Sequence, residues 1–344
     1  MELDRRKLQI LKAVIDEYIL SATPVGSRSI SKNSDIRLSS ATIRNEMADL
    51  EEMGYLEQPH TSAGRIPSDK AYRLYVDQMM RKSQLSVGDI GLIKQYYTRQ
   101  IDDLEKVFSQ TAQALSDATR YTAFVLPPAL DSNHLRHLQL VPLTEGRALM
   151  IVVTESGFAR ESILEVPRSM TTEELEQLSR MLTKRLYGRR LDSISGLILG
   201  EMTDELLDRR GVLNDIADAV RRQINSGRRK VEISGTTNML HYPEYSDLSK
   251  ARSFLSAVEE DDLFDFLKKN NGVEFTITIG AENEAESLRD CSVVTATYRS
   301  GNMPLGSFGI IGPTRMNYGK VVSVLEYIQE CMKDILGNYI DEGE

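Results

Sequence analysis

The sequence predicts a multidomain α+β protein that begins with a winged helix-turn-helix. Its 344 residues exceed what one typical domain holds, so two or three domains are expected. Residues 4–66 show three short helical patterns and then two short strand patterns, which is the element order of a winged helix-turn-helix. After residue 119, strand patterns give way to helices and then return, as is typical of an α+β domain interrupted by a helical insertion.

The first two helices are predicted from apolar spacing and cap residues. Apolar side chains recur at three- and four-residue intervals between residues 4 and 20, which indicates a helix with one face in a core. Thr23 and Pro24 then supply a cap and a first-turn proline for a helix near residues 25–33. Turn-forming residues follow that helix.

A third helix and a hairpin are predicted around residues 38–64, LSSATIRNEMADLEEMGYLEQPHTSAG. Ser39 suits the N-cap position, and Gly54 ends the helix. The strand patterns at residues 55–57 and 65–66 flank a tip rich in turn-forming residues. Ser68 caps a further helix, and a linker is expected after it.

The third helix has an unusual distribution of polar side chains. On a helical wheel, Ile43, Met47 and Leu50 form one buried stripe, and Asn45 lies on the opposite side. Acidic side chains are favoured at helix N-termini, yet here the first turns carry hydroxyls, Arg44 and Asn45, while the acids lie in the C-terminal half. This distribution departs from what the helix dipole favours in a solvated helix.

The same distribution fits a helix that reads DNA, because the N-terminal residues of a recognition helix enter the major groove. Arg can bond guanine, Asn can bond adenine, and small residues can touch a thymine methyl group. Hydroxyls and free N–H groups at the helix start suit a backbone phosphate, and Arg65 beside the hairpin tip is also expected to contact a phosphate. The alternative is a solvated helix and hairpin in a protein-interaction domain. The candidate DNA-binding residues are Ser39, Ser40, Ala41, Thr42, Arg44, Asn45, His60, Thr61, Ser62 and Arg65.

The charge distribution agrees weakly with a nucleic-acid partner. The whole chain has a formal net charge of −9, but residues 1–82 hold 13 basic and 12 acidic residues, a net charge of +1. No stretch approaches the ~20 apolar residues that a membrane span requires, and the N-terminus lacks an apolar signal segment. The two cysteines form no metal spacing and no disulfide framework. We therefore expect a cytoplasmic protein without a membrane partner.

The rest of the chain supplies the predicted α+β part. A long amphipathic helix is expected at residues 90–118, and a closing helix at 320–336. Between them lie four strand patterns that we interpret as one antiparallel meander, then helices, then three more strand patterns. The meander strands are TAFVL, LRHLQLVPL, RALMIVVT and FARESILEV, the helices 171–187, 200–224 and 251–269, and the later strands VEFTITIG, CSVVTATY and LGSFGIIG.

The sequence supports no catalytic residues, metal ligands or cofactor. The four histidines lack metal spacing, and His134 and His137 are interpreted as exposed polar residues. The glycine-rich stretch 306–312 could pass for a phosphate loop, but it lacks the GK[ST] ending. We interpret it as a strand with close backbone approach, with a pocket rim as the alternative.

Two regions are similar to the HrcA family of bacterial heat-inducible transcription repressors. The first is residues 38–77, together with RRKLQILKAVIDEYI and TPVGSRSIS upstream, and the second is GSFGIIGPTRMNYGKVVSVLEYI near the C-terminus. The resemblance implies a winged-helix domain at 1–80, a GAF-like domain at 81–199 and 271–344, and an inserted, mainly helical dimerisation domain at 200–270.

The resemblance also implies the partners. A homodimer would bind a double-stranded inverted-repeat operator of chaperone operons, and the chaperonin would modulate that activity. Two alternatives stay open at this point. The GAF-like domain could sense a small molecule, or the insertion could be the main partner surface.

Overall fold

The computed structural model describes residues 3–33, 36–97, 104–128, 134–144, 146–155, 159–201, 210–227, 231–259, 263, 266–267, 269, 273–300 and 303–341. The described residues form mixed helix and antiparallel sheet, so the α+β prediction is confirmed. The N-terminal helices are α1 (Arg5–Ser21), α2 (Ser27–Asn33), α3 (Ser40–Glu52) and α4 (Asp69–Leu74), the last continued by a π-helical turn at Tyr75–Met79. The strands β1 (Leu56–Glu57) and β2 (Ile66–Pro67) form an antiparallel hairpin between α3 and α4. We call residues 3–79 the N-terminal unit.

Local caps set the helix boundaries of the N-terminal unit. The carboxylate of Asp4 accepts a hydrogen bond from the backbone N–H of Lys7 at 2.8 Å and begins α1. Ser39 begins α3 in the same way, accepting from the backbone N–H of Thr42 at 3.1 Å. The structure therefore agrees with the predicted Ser39 cap, and also with the predicted stripe of Ile43, Met47 and Leu50, since all three side chains are buried.

The remaining helices and strands follow in chain order. The helices are α5 (Val87–Tyr97), α6 (Leu104–Thr119), α7 (Thr172–Leu186), α8 (Leu191–Glu201), α9 (Arg210–Gly227), α10 (Leu248–Glu259) and α11 (Tyr318–Asp341). The strands are β3 (Thr122–Leu126), β4 (Leu135–Thr144), β5 (Arg147–Thr154), β6 (Ala159–Glu165), β7 (Glu232–Ser234), β8 (Phe275–Ile279), β9 (Cys291–Ser300) and β10 (Met303–Pro313). The predicted single helix 90–118 is wrong, because α5 and α6 pack against each other: the Tyr97 hydroxyl lies 2.9 Å from Thr111 Oγ1, whereas one straight helix would separate these residues by about 21 Å. Residues 98–103 between the two helices lie outside the described residues, as do 202–209 of the predicted helix 200–224.

The strands form two separate larger sheets, which corrects the predicted four-stranded meander. One sheet has the antiparallel order β7-β3-β10-β9-β8, and the other has the order β4-β5-β6. TAFVL, which is β3, therefore pairs with late strands and not with LRHLQLVPL. The physical reason is burial, because every residue of β3 is buried, as in a central strand covered on both faces, whereas β5 alternates between buried and partly exposed residues.

Two strand-rich parts are thus separated along the chain. The chain leaves the five-stranded sheet after β3 and returns to it at β7, and β4 to α9 lie between. Within that part, α7 packs along the edge strand β4, and Ser179 Oγ of α7 accepts a hydrogen bond from the backbone N–H of Leu140 at 2.8 Å. Residues 236–259 pack differently, since Met239, Tyr245 and Phe254 share a buried cluster with Phe124 of β3.

The glycine-rich strand β10 allows close backbone approach, as the preferred interpretation of residues 306–312 expected. A Cβ at Gly309 would collide with the carbonyl oxygen of Val294 on β9 and with the Phe124 ring on β3. A Cβ at Gly306 would collide with the Tyr298 hydroxyl. The glycines therefore serve packing within the sheet.

Candidate nucleic-acid interface

The exposed side of α3 carries the side chains predicted to read bases. Ala41, Arg44 and Asn45 are all exposed; Ala41 and Asn45 lie opposite the buried stripe, and Arg44 flanks them. In the described part of the chain, Arg44 and Asn45 have no side-chain hydrogen bond or ion pair. An arginine and an asparagine held on adjacent positions of a helix face are free to meet base edges in a major groove.

The hydroxyls at the start of α3 are already engaged in local contacts. Ser39 Oγ accepts from the backbone of Thr42 and lies 2.9 Å from Thr42 Oγ1. Ser40 Oγ lies 3.2 Å from Ser27 Oγ on α2. These contacts join α2 to α3 and leave the helix N-terminus itself facing outward, where its dipole favours an anion.

A charge cluster around the buried Glu46, which the sequence reasoning missed, fixes α3 on α1. Glu46 is buried within the apolar side of α3 and accepts hydrogen bonds from Lys7 Nζ at 2.6 Å and from Arg6 Nη1 at 3.2 Å. Lys7 also pairs with Asp49 at 2.8 Å. Hydrogen bonds from Lys7 to Asp49 and then to Glu46 raise the pKa of the Lys7 ammonium, so Lys7 stays charged. The signal in the sequence was an acid three residues after Ile43, on the side of the buried stripe.

The tip of the hairpin presents the predicted polar side chains. His60, Thr61 and Ser62 are all exposed. The Gln58 side-chain amide donates to the backbone carbonyls of Thr61 and Ala63, each at 3.1 Å, and so shapes the turn from inside. The three side chains therefore project from a turn of defined shape.

Arg65 lies in a different environment from the other predicted residues. Its guanidinium pairs with Glu51 of α3 at 2.7 Å, and its side chain is only 19% exposed. Its backbone forms a bridge with Val25, donating and accepting at 2.8 Å. Arg65 thus joins the hairpin base to α3 and to the start of α2. A phosphate contact by Arg65 stays a prediction, and the guanidinium that would make it already bonds Glu51 through Nη2.

Other kinds of site find little support in the described residues. No group of three or more His, Cys, Asp or Glu side chains there could hold a metal ion. The half-buried His134 lies 3.8 Å from Glu155, and the exposed His137 contacts Gln139. None of the helices within the described ranges is long and apolar enough to cross a membrane.

Comparison with known proteins decides the family. A family model described as "HrcA protein C terminal domain" matches residues 105–322. The heat-inducible transcription repressor HrcA of Ruminiclostridium cellulolyticum is 42% identical over 100% of both chains. The chain belongs to the HrcA family.

Further relatives agree with this assignment. The heat-inducible transcription repressor HrcA of Acetivibrio thermocellus is 41% identical to the chain over 97% of this chain and 96% of its own. A crystal structure titled as that of a hypothetical protein matches with a TM-score of 0.66 at 26% identity, over 98% of this chain and 100% of its own. Both named HrcA relatives are called transcription repressors, and a transcription repressor is not an enzyme class.

Proposed function

We propose that this HrcA-family chain is a dimeric transcriptional repressor that binds an inverted-repeat operator of heat-shock chaperone genes through α3 and the β1–β2 hairpin. The observation that carries the proposal is the exposed pair Arg44 and Asn45, which have no polar partner among the described residues, on a helix whose inner face is buried and held on α1 by Glu46. The family assignment supports the class of function. The element order α1-α2-α3-β1-β2 supports a winged helix-turn-helix.

The proposal is tested by binding to duplex DNA. Fluorescence anisotropy would compare a labelled inverted repeat from upstream of a chaperone operon with a scrambled duplex at the same salt concentration. We expect the repeat to bind at least ~10³-fold more tightly, the usual lower bound for a specific regulator. Equal affinity for the two duplexes would refute the proposed function.

The domain organisation is part of the proposal. We assign a winged-helix domain to 1–80 and a GAF-like domain to the five-stranded sheet with its helices. We propose that the insertion, predicted at 200–270, lies between β3 and β7, because β4 to β6 form their own sheet while Met239, Tyr245 and Phe254 pack with β3.

A dimer follows from the symmetry of the operator. An inverted repeat has two-fold symmetry, so each winged domain of a two-fold dimer would take one half-site. The two recognition helices would then lie roughly 34 Å apart, or a multiple of that distance, along one face of the DNA. Sedimentation would test the oligomeric state. Tight operator binding by a proven monomer would contradict this part of the proposal.

We further propose that the chaperonin promotes the DNA-binding form, as the family resemblance implies. Operator affinity would be measured with and without purified chaperonin, and again with an unfolded protein that occupies it. We expect the fraction of active repressor to rise with free chaperonin and to fall when the competitor is added. An unchanged active fraction under all three conditions would exclude this regulation.

A further inference from the structure

A basic groove lies beside the start of α3, outside the set of residues predicted from the sequence. It encloses about 710 Å³ between one face of α1 and the segment 36–38 that leads into Ser39. Its rim carries Arg5, Arg6, Lys12 and Arg37, and Ile36 and Leu38 contribute apolar surface. We call it the α1 groove.

Two arginines of the α1 groove are available to a ligand. Arg6 is engaged by Glu46, and Lys12 forms an ion pair with Asp16, which is the groove's acidic residue. Arg5 and Arg37 are exposed, and within the described ranges neither has an ion pair or a side-chain hydrogen bond. The groove therefore offers two uncompensated positive charges at its mouth.

The α1 groove and the exposed face of α3 belong to one rigid part of the N-terminal unit. Arg37 and Leu38 precede the N-cap Ser39 directly, and Ser31 Oγ donates to the carbonyl of Leu38 at 3.2 Å, which fixes that segment on α2. From the other side, Lys7 of α1 holds Glu46 of α3 at 2.6 Å. A strand of DNA that follows α3 past its N-terminus would continue toward the groove.

We propose that the α1 groove binds the sugar-phosphate backbone of DNA flanking the half-site, with Arg5 and Arg37 contacting phosphates. This inference rests on the proposed function, and it deepens that function by naming where the backbone is held. The apolar residues Ile36 and Leu38 suit the deoxyribose faces between phosphates, while the two guanidinium groups supply the charge-assisted hydrogen bonds. The sequence predicts a phosphate contact for Arg65, but Arg65 is bound to Glu51. Among the described residues, Arg5 and Arg37 have no such partner and could make phosphate contacts instead.

The test is the salt dependence of DNA binding by the full chain. The double variant R5Q/R37Q would be compared with wild type and with the control K106Q/R180Q, which removes two exposed cations from α6 and α7. Affinity for operator and scrambled duplex would be measured between about 50 and 200 mM salt. Circular dichroism and thermal melting would verify that each variant is folded.

We expect R5Q/R37Q to weaken binding to both duplexes by a similar factor. The slope of log affinity against log salt should become shallower by about 0.9 for each phosphate that the variant no longer neutralises, while the control keeps the wild-type slope. A folded R5Q/R37Q with the wild-type slope would overturn the proposal. The proposal would also be overturned if a labelled poly-glutamate peptide bound wild type but not R5Q/R37Q while both proteins had the same salt slope for DNA binding. The groove would then bind acidic peptides and not DNA.

The two levels of the proposal fail in distinguishable ways. Absence of operator preference in the wild type would refute the specific repressor function. The slope of log affinity against log salt for the scrambled duplex depends on phosphate contacts and not on operator preference. This slope therefore tests the α1 groove separately.

Discussion

Arg315 pairs with Glu244 through both carboxylate oxygens, with Nη2 lying 3.1 Å from Oε2, and its Nη1 donates to the backbone carbonyl of Ile19 at 3.0 Å. Arg315 follows β10, whereas Ile19 lies in the last turn of α1. The guanidinium also lies 5.6 Å from the centre of the Tyr242 ring. A largely buried charge therefore joins the N-terminal unit to the five-stranded sheet.

Removing the carboxylate should weaken that junction. In Glu244→Gln the Arg315 guanidinium stays buried without its counter-charge, which is costly because desolvation is no longer offset. We expect the free energy of unfolding to fall by about 2–3 kcal/mol, below the full ~3–5 kcal/mol for buried pairs, because the Glu244 side chain is 27% exposed. Urea denaturation measures the change. Glu176→Gln, at an exposed position on α7, is the control, and equal losses in both variants would disprove a special role for the junction.

A second contact holds the same two parts together. Arg73 of α4 pairs with Glu282 and Asp77 and donates to the carbonyl of Ile277 at 2.6 Å, while Asp69 accepts from the N–H of Ala281 at 2.9 Å. Arg73 is joined to Glu282 through two hydrogen bonds. Burial alone would raise the pKa of Glu282, but the hydrogen bonds from Arg73 and from the backbone N–H of Ile279 outweigh it and lower the pKa. Two separate polar contacts thus constrain the orientation of the N-terminal unit.

The hairpin should depend on Gly64. A Cβ at this position would lie far inside van der Waals distance of the Val25 carbonyl, and backbone atoms cannot move away as a flexible side chain can. Gly64→Ala should therefore break the Val25–Arg65 bridge, lower stability by about 1–3 kcal/mol and reduce DNA affinity by displacing the tip. Thermal melting and anisotropy measure the two effects. Gly91→Ala has open space around the new Cβ, so it should leave both unchanged or raise stability slightly, and a matching loss there would remove the steric explanation.

Base reading should depend on Arg44 and Asn45. Each alanine variant should lose about 1–3 kcal/mol of binding energy on the operator because a bidentate base contact disappears. Binding to scrambled duplex should change much less, and unfolding should be unaffected because both side chains are exposed. Arg180→Ala serves as a charge-matched control on α7 for Arg44→Ala. If the operator and the scrambled duplex lost affinity equally, the two residues would not read bases.

The short-range features of the N-terminal unit were predictable from the sequence. The Ser39 cap and the stripe of Ile43, Met47 and Leu50 depend on residue type and helical spacing alone, and the structure agrees. Glu46 escaped prediction because its burial depends on Lys7, 39 residues away. The ion pair between Arg65 and Glu51 could not be predicted for the same reason, since tertiary packing determines which acidic side chain lies beside a given arginine.

The pairing of the strands also could not be predicted from local sequence patterns. TAFVL and RALMIVVT both predict strands, and both are strands. Adjacency along the chain favoured pairing β3 with β4, yet β3 pairs with β10, nearly 200 residues later. The continuous burial of β3 could have indicated a central strand, but no pattern within five residues identifies the partner.

Stability at high pH should depend on Cys291. Burial raises the pKa of this thiol to about 11, with Asp290 adding to the shift and the Tyr245 hydroxyl, 3.6 Å from Sγ, opposing it. An unfolded thiol ionises near pH 9, so between pH 9 and 11 the unfolded chain releases a proton that the folded chain keeps. Stability from this group is therefore complete below pH 9 and declines as the pH rises toward 11.

Comparison of wild type with Cys291→Ala isolates this effect from the other groups that titrate at high pH. Between pH 8 and pH 10, wild type should lose about 1 kcal/mol more unfolding free energy than Cys291→Ala, as expected for a two-unit pKa difference that is half expressed at pH 10. Urea denaturation at the two pH values measures the difference. Cys331→Ala is the matched control, because that thiol is only partly buried, and its variant should keep most of the wild-type pH dependence. Identical pH dependence in wild type and Cys291→Ala would show that the buried thiol does not titrate with the predicted shift.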